Sequence, residues 1–324
     1  MIDCNVRFNL VRGHNMKVED EPTARMRGIR VYEELQRRGW DADMWDGSSN
    51  ADVIVVQYEA PVVQQAAPHC DYVIWDCNDA VFLPHHQYAP KFDDAVRVAA
   101  WVTTGSTRIA EHIKARTGGS PCVSYIPEAI DSMYDNVARA PSENVSILWT
   151  GMHDNLMYLD VIDPVLAALS AEYDFEVVLV SSELTSQGKS NATTVAEKPY
   201  PGRHVTWSPA TIVEEMGTAS IAVCPLFQCE WCWCKSVNKA GMFAGVGIPT
   251  VASDVPSYRE LIEHGVGGYL AFTPDDWYKP LSALIESRGL RDKIGAAGQK
   301  TARELYSTAV VVDEWERVLR RVLG

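Results

Sequence analysis

The chain has 324 residues, 47% of them hydrophobic, with 29 Lys+Arg against 43 Asp+Glu and a formal net charge of −14. That length suffices for two cores of about 150 residues each. The acidic balance argues against a general affinity for nucleic acid or anionic membrane, while leaving room for a local basic groove. No basic-plus-apolar leader is visible and no apolar run approaches the ~20 residues that cross a bilayer. A cytoplasmic globular protein is therefore expected, with its eight cysteines as reduced thiols rather than a disulfide framework.

In chain order, the strand-like DCNVRFNL leads into a polar loop, VRGHNMKVEDE, and then a helix that Pro22 can open and Gly39 can close. Residues 7–38 carry eight basic side chains (Arg7, Arg12, Lys17, Arg25, Arg27, Arg30, Arg37, Arg38) and five acidic ones (Glu19, Asp20, Glu21, Glu33, Glu34), a local +3. ADVIVVQ, CDYVIWD and AAWVTT are apolar runs of strand length, too continuous for a half-exposed antiparallel sheet and suited to a parallel one covered on both faces. Strand alternating with helix predicts an α/β doubly wound domain. The second run ends in Asp76-Cys77-Asn78-Asp79, at the strand end where such sheets place functional groups. A structural use of Asp76, capping the following turn, competes with a catalytic one.

Residues 132–144 are polar and proline-containing and read as a linker, after which VSILWTG starts a second βα series. Gly151 permits close backbone approach to a ligand, and Leu156, Leu159, Ile162, Leu166 and Leu169 follow at helical spacing. EVVLVSS, HVTW and SIAVCPL supply further strands. Cys229, Cys232 and Cys234 in CEWCWC lack the regularly spaced second Cys/His pair of a zinc site, so no metal is expected.

The stretch from Cys234 to His264 reads as loop, helix, strand. Ser236 is the predicted N-cap, with Gly245 and Gly247 available to stop the helix. Lys235 and Lys239 are four apart, which places them on one face near a helix start whose N–H groups favour anions. This reads as a phosphate seat, with a solvated surface helix as the plainer alternative. Two paired helices follow, and VVVDEWERVLRRVL makes a last amphipathic helix with Val312, Trp315, Val318 and Leu319 grouped.

Several pieces of this second half resemble the GT-B glycosyltransferases, in particular the family-4-type retaining enzymes that use nucleotide sugars. They are Lys235-Ser236, Asn238-Lys239, Gly247-Ile248-Pro249, Val251-Ala252-Ser253-Asp254, Arg259-Glu260-Leu261, His264-Gly265 and Gly268-Tyr269-Leu270. Earlier, Val123 to Asp131 resembles the family's strand plus P-N-x-x-D segment, with Glu128 where Asn is common, and Gly151 to Asn155 resembles the loop under the donor.

The resemblance implies two Rossmann-like parallel-sheet domains facing a central cleft, with the C-terminal helix crossing back to the first. It places an acceptor-side domain at 1–131, the linker at 132–144, a donor-nucleotide domain at 145–305 and the bracing helix at 306–324. It implies a hexosyltransferase-type glycosyltransferase that moves a sugar from a UDP- or GDP-sugar to a hydroxyl, retaining and metal-independent, with no cofactor. A glycan is the first-ranked acceptor. A hydroxylated DNA base, as in phage-type DNA glycosyltransferases, is an alternative suggested by the +3 stretch, and a non-catalytic nucleotide-sugar or glycan binder is another.

Catalytic candidates are Lys235, Lys239, Asp79 and His153. Donor-binding candidates are Gly151, Met152, Trp207, Glu230, Lys235, Ser236, Asn238, Lys239 and Ser253, and acceptor-side candidates are Arg12, Gly13, His14, Arg25 and Asp76. One departure stands out: many family-4-type enzymes carry two glutamates eight residues apart, where this chain has Cys234 and Met242. Neither accepts ribose hydrogen bonds as a carboxylate does. Glu230 is the substitute on offer, and with the family's early Arg/Lys pair missing, Lys235 and Lys239 are left to carry the diphosphate charge.

Overall fold

The computed structural model describes residues 4–10, 18, 21–183 and 197–324. The chain forms two compact units: Met1–Asp131 with Trp233–Asn238 and Leu305–Gly324, and Ser132–Cys232 with Lys239–Glu304.

The first unit is built on a six-stranded sheet of β1 (Asn5–Asn9), β2 (Asp41–Met44), β3 (Ala51–Gln57), β4 (Cys70–Asp76), β5 (Trp101–Thr104) and β6 (Cys122–Tyr125). Their order is β2-β1-β3-β4-β5-β6, and every pairing is parallel. The apolar runs read from the sequence become β3 and β4, and β3 is buried along nearly its whole length, as a strand covered on both faces must be. β2 has a single buried residue, Ala42, and carries no apolar signal. The helix after β1 opens at Pro22 with Glu21 capping Ala24 N–H at 2.7 Å. It passes through a π turn at Arg25–Ile29 and ends at Arg37, before Gly39 at φ +90. A continuous α-helix was expected, and the π turn rotates Arg25 and Arg27 to buried partners. The last helix, Thr308–Leu323, buries Val311, Val312, Trp315, Val318, Leu319 and Val322. These join Val6, Phe8, Val53 and Val55 in one core, with the Trp315 ring edge-on to Phe8 at 6.1 Å.

The second unit repeats the scheme with β7 (Ser146–Thr150), β8 (Glu176–Ser181), β9 (Gly202–Thr206), β10 (Ile221–Cys224), β11 (Thr250–Ser253) and β12 (Tyr269–Ala271). All are parallel in the order β12-β11-β10-β7-β8-β9. The direction of winding reverses between β7 and β10, the switch point at whose carboxyl side such sheets bind ligands. The leucine periodicity after Gly151 is realised as a 3₁₀ run, His153–Val161, followed by an α-helix, Asp163–Ser170. Residues 132–144 are held against this unit rather than spanning freely, because Ala140 N–H donates to Gly217 O at 2.9 Å and Arg139 to Met216 O at 2.6 Å. The helix Arg288–Tyr306 approaches its neighbours through glycines: a Cβ on Gly295 would lie 2.3 Å from Gly247 O, and one on Gly298 2.5 Å from Gly267 O. Among the described residues no helix is long and apolar enough to cross a membrane.

Candidate active site

In the first unit the carboxyl ends of β3 to β6 hold a polar cluster. Arg27, 1% exposed, grips the fully buried Asp76 through Nε at 2.8 Å and Nη2 at 2.6 Å. Thr103 donates to the same carboxylate at 2.7 Å, and Arg27 Nη1 donates to Ile126 O at 2.6 Å. Burial by itself pushes the guanidinium pKa down, but Asp76, with Glu128 and Tyr125 adding to it, more than offsets this and the net shift is upward. Asp76 is thus a buried anchor under the strand end, its carboxylate taken by Arg27 and Thr103 rather than by the turn that follows. Arg25 is likewise buried and paired with Asp131, which also takes Arg30 at 3.4 Å.

Above this layer, Lys235 Nζ meets Asp79 at 2.8 Å, and the Ser236 hydroxyl donates to Glu128 at 2.7 Å. Burial raises the pKa of Glu128, against the opposing pull of Arg27 and Ser236. Two sequence expectations are corrected here. The helix of the phosphate seat begins at Asn238, so Ser236 lies before it and bonds Glu128 instead of capping it. For the same reason Lys235 does not share a helical face with Lys239; it turns to Asp79 in the first unit.

The same strand ends hold residues that the sequence did not single out. Tyr58, just after β3, has φ +58, the only non-glycine in left-handed backbone among the described residues, a conformation costing about 1–3 kcal/mol. Its hydroxyl lies 2.8 Å from His86 Nε2. His86 Nδ1 accepts from Tyr88 N–H at 3.1 Å, so a neutral ring carries its proton on Nε2 and donates it to Tyr58. Burial lowers the pKa of His86, favouring that neutral form, with Asp79 pulling the other way. Nothing in local sequence marks Tyr58 or His86; Arg27 is visible only as one charge of the +3 stretch and Glu128 only as a departure from the P-N-x-x-D segment, and neither reading gives their partners. Arg12, Gly13 and His14 lie outside the described residues.

In the second unit, β7 ends at Gly151, where a Cβ would lie 2.8 Å from the Trp149 ring and 3.0 Å from Lys239 Nζ. The Lys239 ammonium sits over that ring, 4.7 Å from its centroid, a cation–π contact that holds it at the switch point. Lys239 is the second residue of Asn238–Val246, whose first-turn N–H groups have no intrahelical partners. Nearby, burial lifts the Cys224 thiol to about 12, with Lys239 acting against the shift. The helix stops as the sequence indicated. Gly247 has φ +86, its N–H donates to Ala244 O at 2.8 Å, and Ile248 N–H reaches Phe243 O at 3.0 Å, the Schellman pattern.

Met152 is 53% exposed beside Gly151. His153 opens the 3₁₀ run, its side chain outside the described residues. Trp207 follows β9, half-buried, with its N–H on Ser181 O at 2.7 Å, and Glu230 begins the short helix Glu230–Trp233. Ser253 is taken up internally: its hydroxyl donates to Leu226 O at 3.0 Å and accepts from Leu226 N–H at 2.8 Å, fixing the turn after β10. All eight cysteines are free thiols, and burial raises Cys232 to about 11. Among the described residues no His/Cys/Asp/Glu cluster has metal-holding geometry.

No protein-family model matches this chain, and no curated protein resembles it in sequence. Its backbone is similar to several solved structures over nearly its whole length. A glycosyltransferase from Rickettsia africae superposes with a TM-score of 0.74 at 12% identity, covering 99% of each chain. Anabaena HepE in complex with UDP-glucose gives 0.73 at 12% identity, over 98% of this chain and 100% of that one. Sucrose-phosphate synthase from Thermosynechococcus elongatus gives 0.68 at 12%, over 99% and 96%. The two parallel six-stranded sheets and the long C-terminal helix are those of the GT-B fold.

Proposed function

We propose that this chain is a glycosyltransferase that moves a hexose from a nucleoside-diphosphate sugar, with UDP the favoured nucleotide, to a glycan hydroxyl. The observation that carries the reading is the Lys239 ammonium beside Gly151 at the β7/β10 switch point, at the start of a nine-residue helix. Such a seat stabilises charge that develops on a leaving diphosphate. The anomeric C–O bond breaks with its electron pair going to the phosphate oxygen. The acceptor oxygen bonds the anomeric carbon, and its proton leaves to a basic oxygen. Lys239 and the helix N–H groups supply the positive charge a metal would otherwise bring, so the reaction is assigned as metal-independent. Retention is assigned from the resemblance to the family-4-type enzymes. Met152, Trp207 and Glu230 are assigned to the nucleotide side, and Asp79, Lys235, Glu128 and Ser236 to the acceptor side.

A glycan is preferred to a DNA base because the described arginines of the +3 stretch are paired within the protein. Arg25 pairs with Asp131, Arg27 with Asp76, Arg30 with Glu33, Arg37 with Glu34, and Arg38 with Asp313 and Glu316. Among the described residues of that stretch, these arginines already face carboxylates and offer less charge to phosphates.

The test is thermal unfolding with UDP, GDP, ADP, CMP and dTDP, followed by an acceptor screen with the matching sugar nucleotide. A ligand at one hundred times its Kd adds about 2.7 kcal/mol, or about 4 °C for a chain of this size. UDP is expected to give that shift in the wild type and to lose it in Lys239→Ala. No shift with any nucleotide sinks the reading, and binding without transfer to any acceptor leaves a binder.

A further inference from the structure

At the amino end of the second sheet, where Ser220 precedes β10 and Pro249 precedes β11, lies a cavity of about 280 Å³. Its wall includes Arg139, Arg288, Arg291, Asp292, Gln299 and Ser220. Three arginines and one aspartate line it, and among the described residues none of the three arginines makes a salt bridge.

Two of these arginines also close helices. Arg139 Nη1 donates to Met216 O at 2.6 Å, and Arg291 Nη1 donates to Leu284 O at 2.7 Å and Ile285 O at 3.1 Å. Capping accounts for one nitrogen of each fork; among the described residues Nε and Nη2 of both have no acceptor. A cap alone also does not require three such groups together. Burial pulls the Arg139 guanidinium down to about 10, with Asp292 only partly offsetting it. Arg291 is lowered too, by burial and then by the like charge of Arg288 against the help of Asp292. That is the behaviour of buried cations short of anionic compensation. Independently, Ser220 is 1% exposed and its hydroxyl has no hydrogen-bond partner among the described residues, although buried hydroxyls are normally satisfied. The helix end that reaches this cavity at Gly247 repels an anion less than a bare one would, because three of its last four carbonyls are occupied. Ile248 and Gly247 N–H bond Phe243 and Ala244, and Gln299 and Arg303 bond Gly245 O at 3.1 and 3.2 Å.

We infer that this cavity binds a small phosphate-bearing anion, held by Arg139, Arg288 and Arg291 with the Ser220 hydroxyl as a further donor. Planar guanidiniums match phosphate oxygens in pairs, and three of them against one Asp292 leave a net charge of two to meet a dianion. The volume falls just below the roughly 300–1,000 Å³ of pockets for drug-sized ligands. It suits inorganic phosphate or the phosphomonoester of a small metabolite, not a sugar nucleotide. The site is built within the second unit at the amino ends of β10 and β11, whereas Lys239 and Gly151 mark the carboxyl end of β7. It stands whether or not the transferase reading holds.

The test is calorimetric titration and thermal unfolding of the full chain with inorganic phosphate and, separately, glucose 6-phosphate, against chloride at equal ionic strength. Saturable binding is expected, with a rise of about 4 °C at one hundred times Kd. Arg288→Glu should weaken it at least tenfold; Arg288 is exposed and caps no helix, so its melting point in chloride should stay near wild type. Ser220→Ala supplies a second variant should that melting point fall, and is expected to weaken binding several-fold. Lys239→Ala should bind as wild type does. Glucose 6-phosphate at least tenfold tighter than phosphate assigns a phosphomonoester, and equal affinities assign the free anion. The inference is overturned if neither anion binds, if both variants bind like wild type, or if Lys239→Ala abolishes binding, which would put the anion at the other end of the sheet.

Discussion

Replacing Asp76 by Asn tests whether the first unit rests on its buried charge layer. The carboxylate accepts two bonds from Arg27, at 2.8 and 2.6 Å, and one from Thr103 at 2.7 Å, with Arg27 only 1% exposed. Asn keeps the shape but offers one acceptor oxygen, so its NH₂ must face a donor. The guanidinium also loses the charge that compensates its burial. Removing one partner of a buried pair costs about 3–5 kcal/mol, a large part of the ~5–15 kcal/mol that holds a typical protein folded. The double variant Asp76→Asn, Arg27→Met removes both charges and should lose less than the single one, although Ile126 O is then left without its donor. Urea titration followed by circular dichroism gives the loss, and hydrogen exchange in the β4 segment localises it to the first unit, since two units need not unfold as one transition. A loss under about 1 kcal/mol with unchanged β4 protection, or a double variant as unstable as the sum of its singles, would refute the reasoning.

Glu128→Gln should change the pH dependence of stability. Burial places the folded pKa of Glu128 above its usual 4.5, so between those two values the folded state holds more protons than the unfolded one, and stability falls as pH rises through that window. Gln does not titrate and still accepts from Ser236, so the variant should be the more stable protein at pH 7 and lose that advantage below pH 4.5; denaturant midpoints across pH that stay parallel would count against this. Gly295→Ala should destabilise by about 1–3 kcal/mol, although alanine ordinarily favours a helix interior, because its Cβ would meet Gly247 O at 2.3 Å; a raised melting temperature would show that the helix can retreat. Gly151→Ala sets a methyl 2.8 Å from the buried Trp149 ring and 3.0 Å from Lys239 Nζ. It should lower stability and weaken UDP together, and a variant that binds UDP like wild type would separate Gly151 from the donor seat.

Much of the architecture is legible from local chemistry. The apolar runs 51–57 and 70–76 are β3 and β4 to the residue, because a parallel strand buried on both faces needs unbroken hydrophobicity. Gly39 and Gly247 stop their helices in left-handed backbone, which glycine adopts without a Cβ penalty. Gly151 after a strand and Lys239 near a helix start are each visible locally, but that the two meet is not. β2 is not legible: DADM exposes three of its four residues, and an edge strand recruited by its neighbour's hydrogen bonds needs no apolar pattern. Ser236 reads as a cap until Glu128, 108 residues earlier, claims its hydroxyl. The +3 charge of residues 7–38 is a true sum, but which carboxylates neutralise it depends on Asp76, Asp131, Asp313 and Glu316, brought in by other strands and the last helix. The backbone of Tyr58 and the arginines that line the second unit's cavity belong to the same class. Periodicity and turn chemistry act over a few residues, and the sequence alone settles them. The partner of a buried charge or hydroxyl is whatever the packed chain sets beside it, and only the tertiary structure decides that.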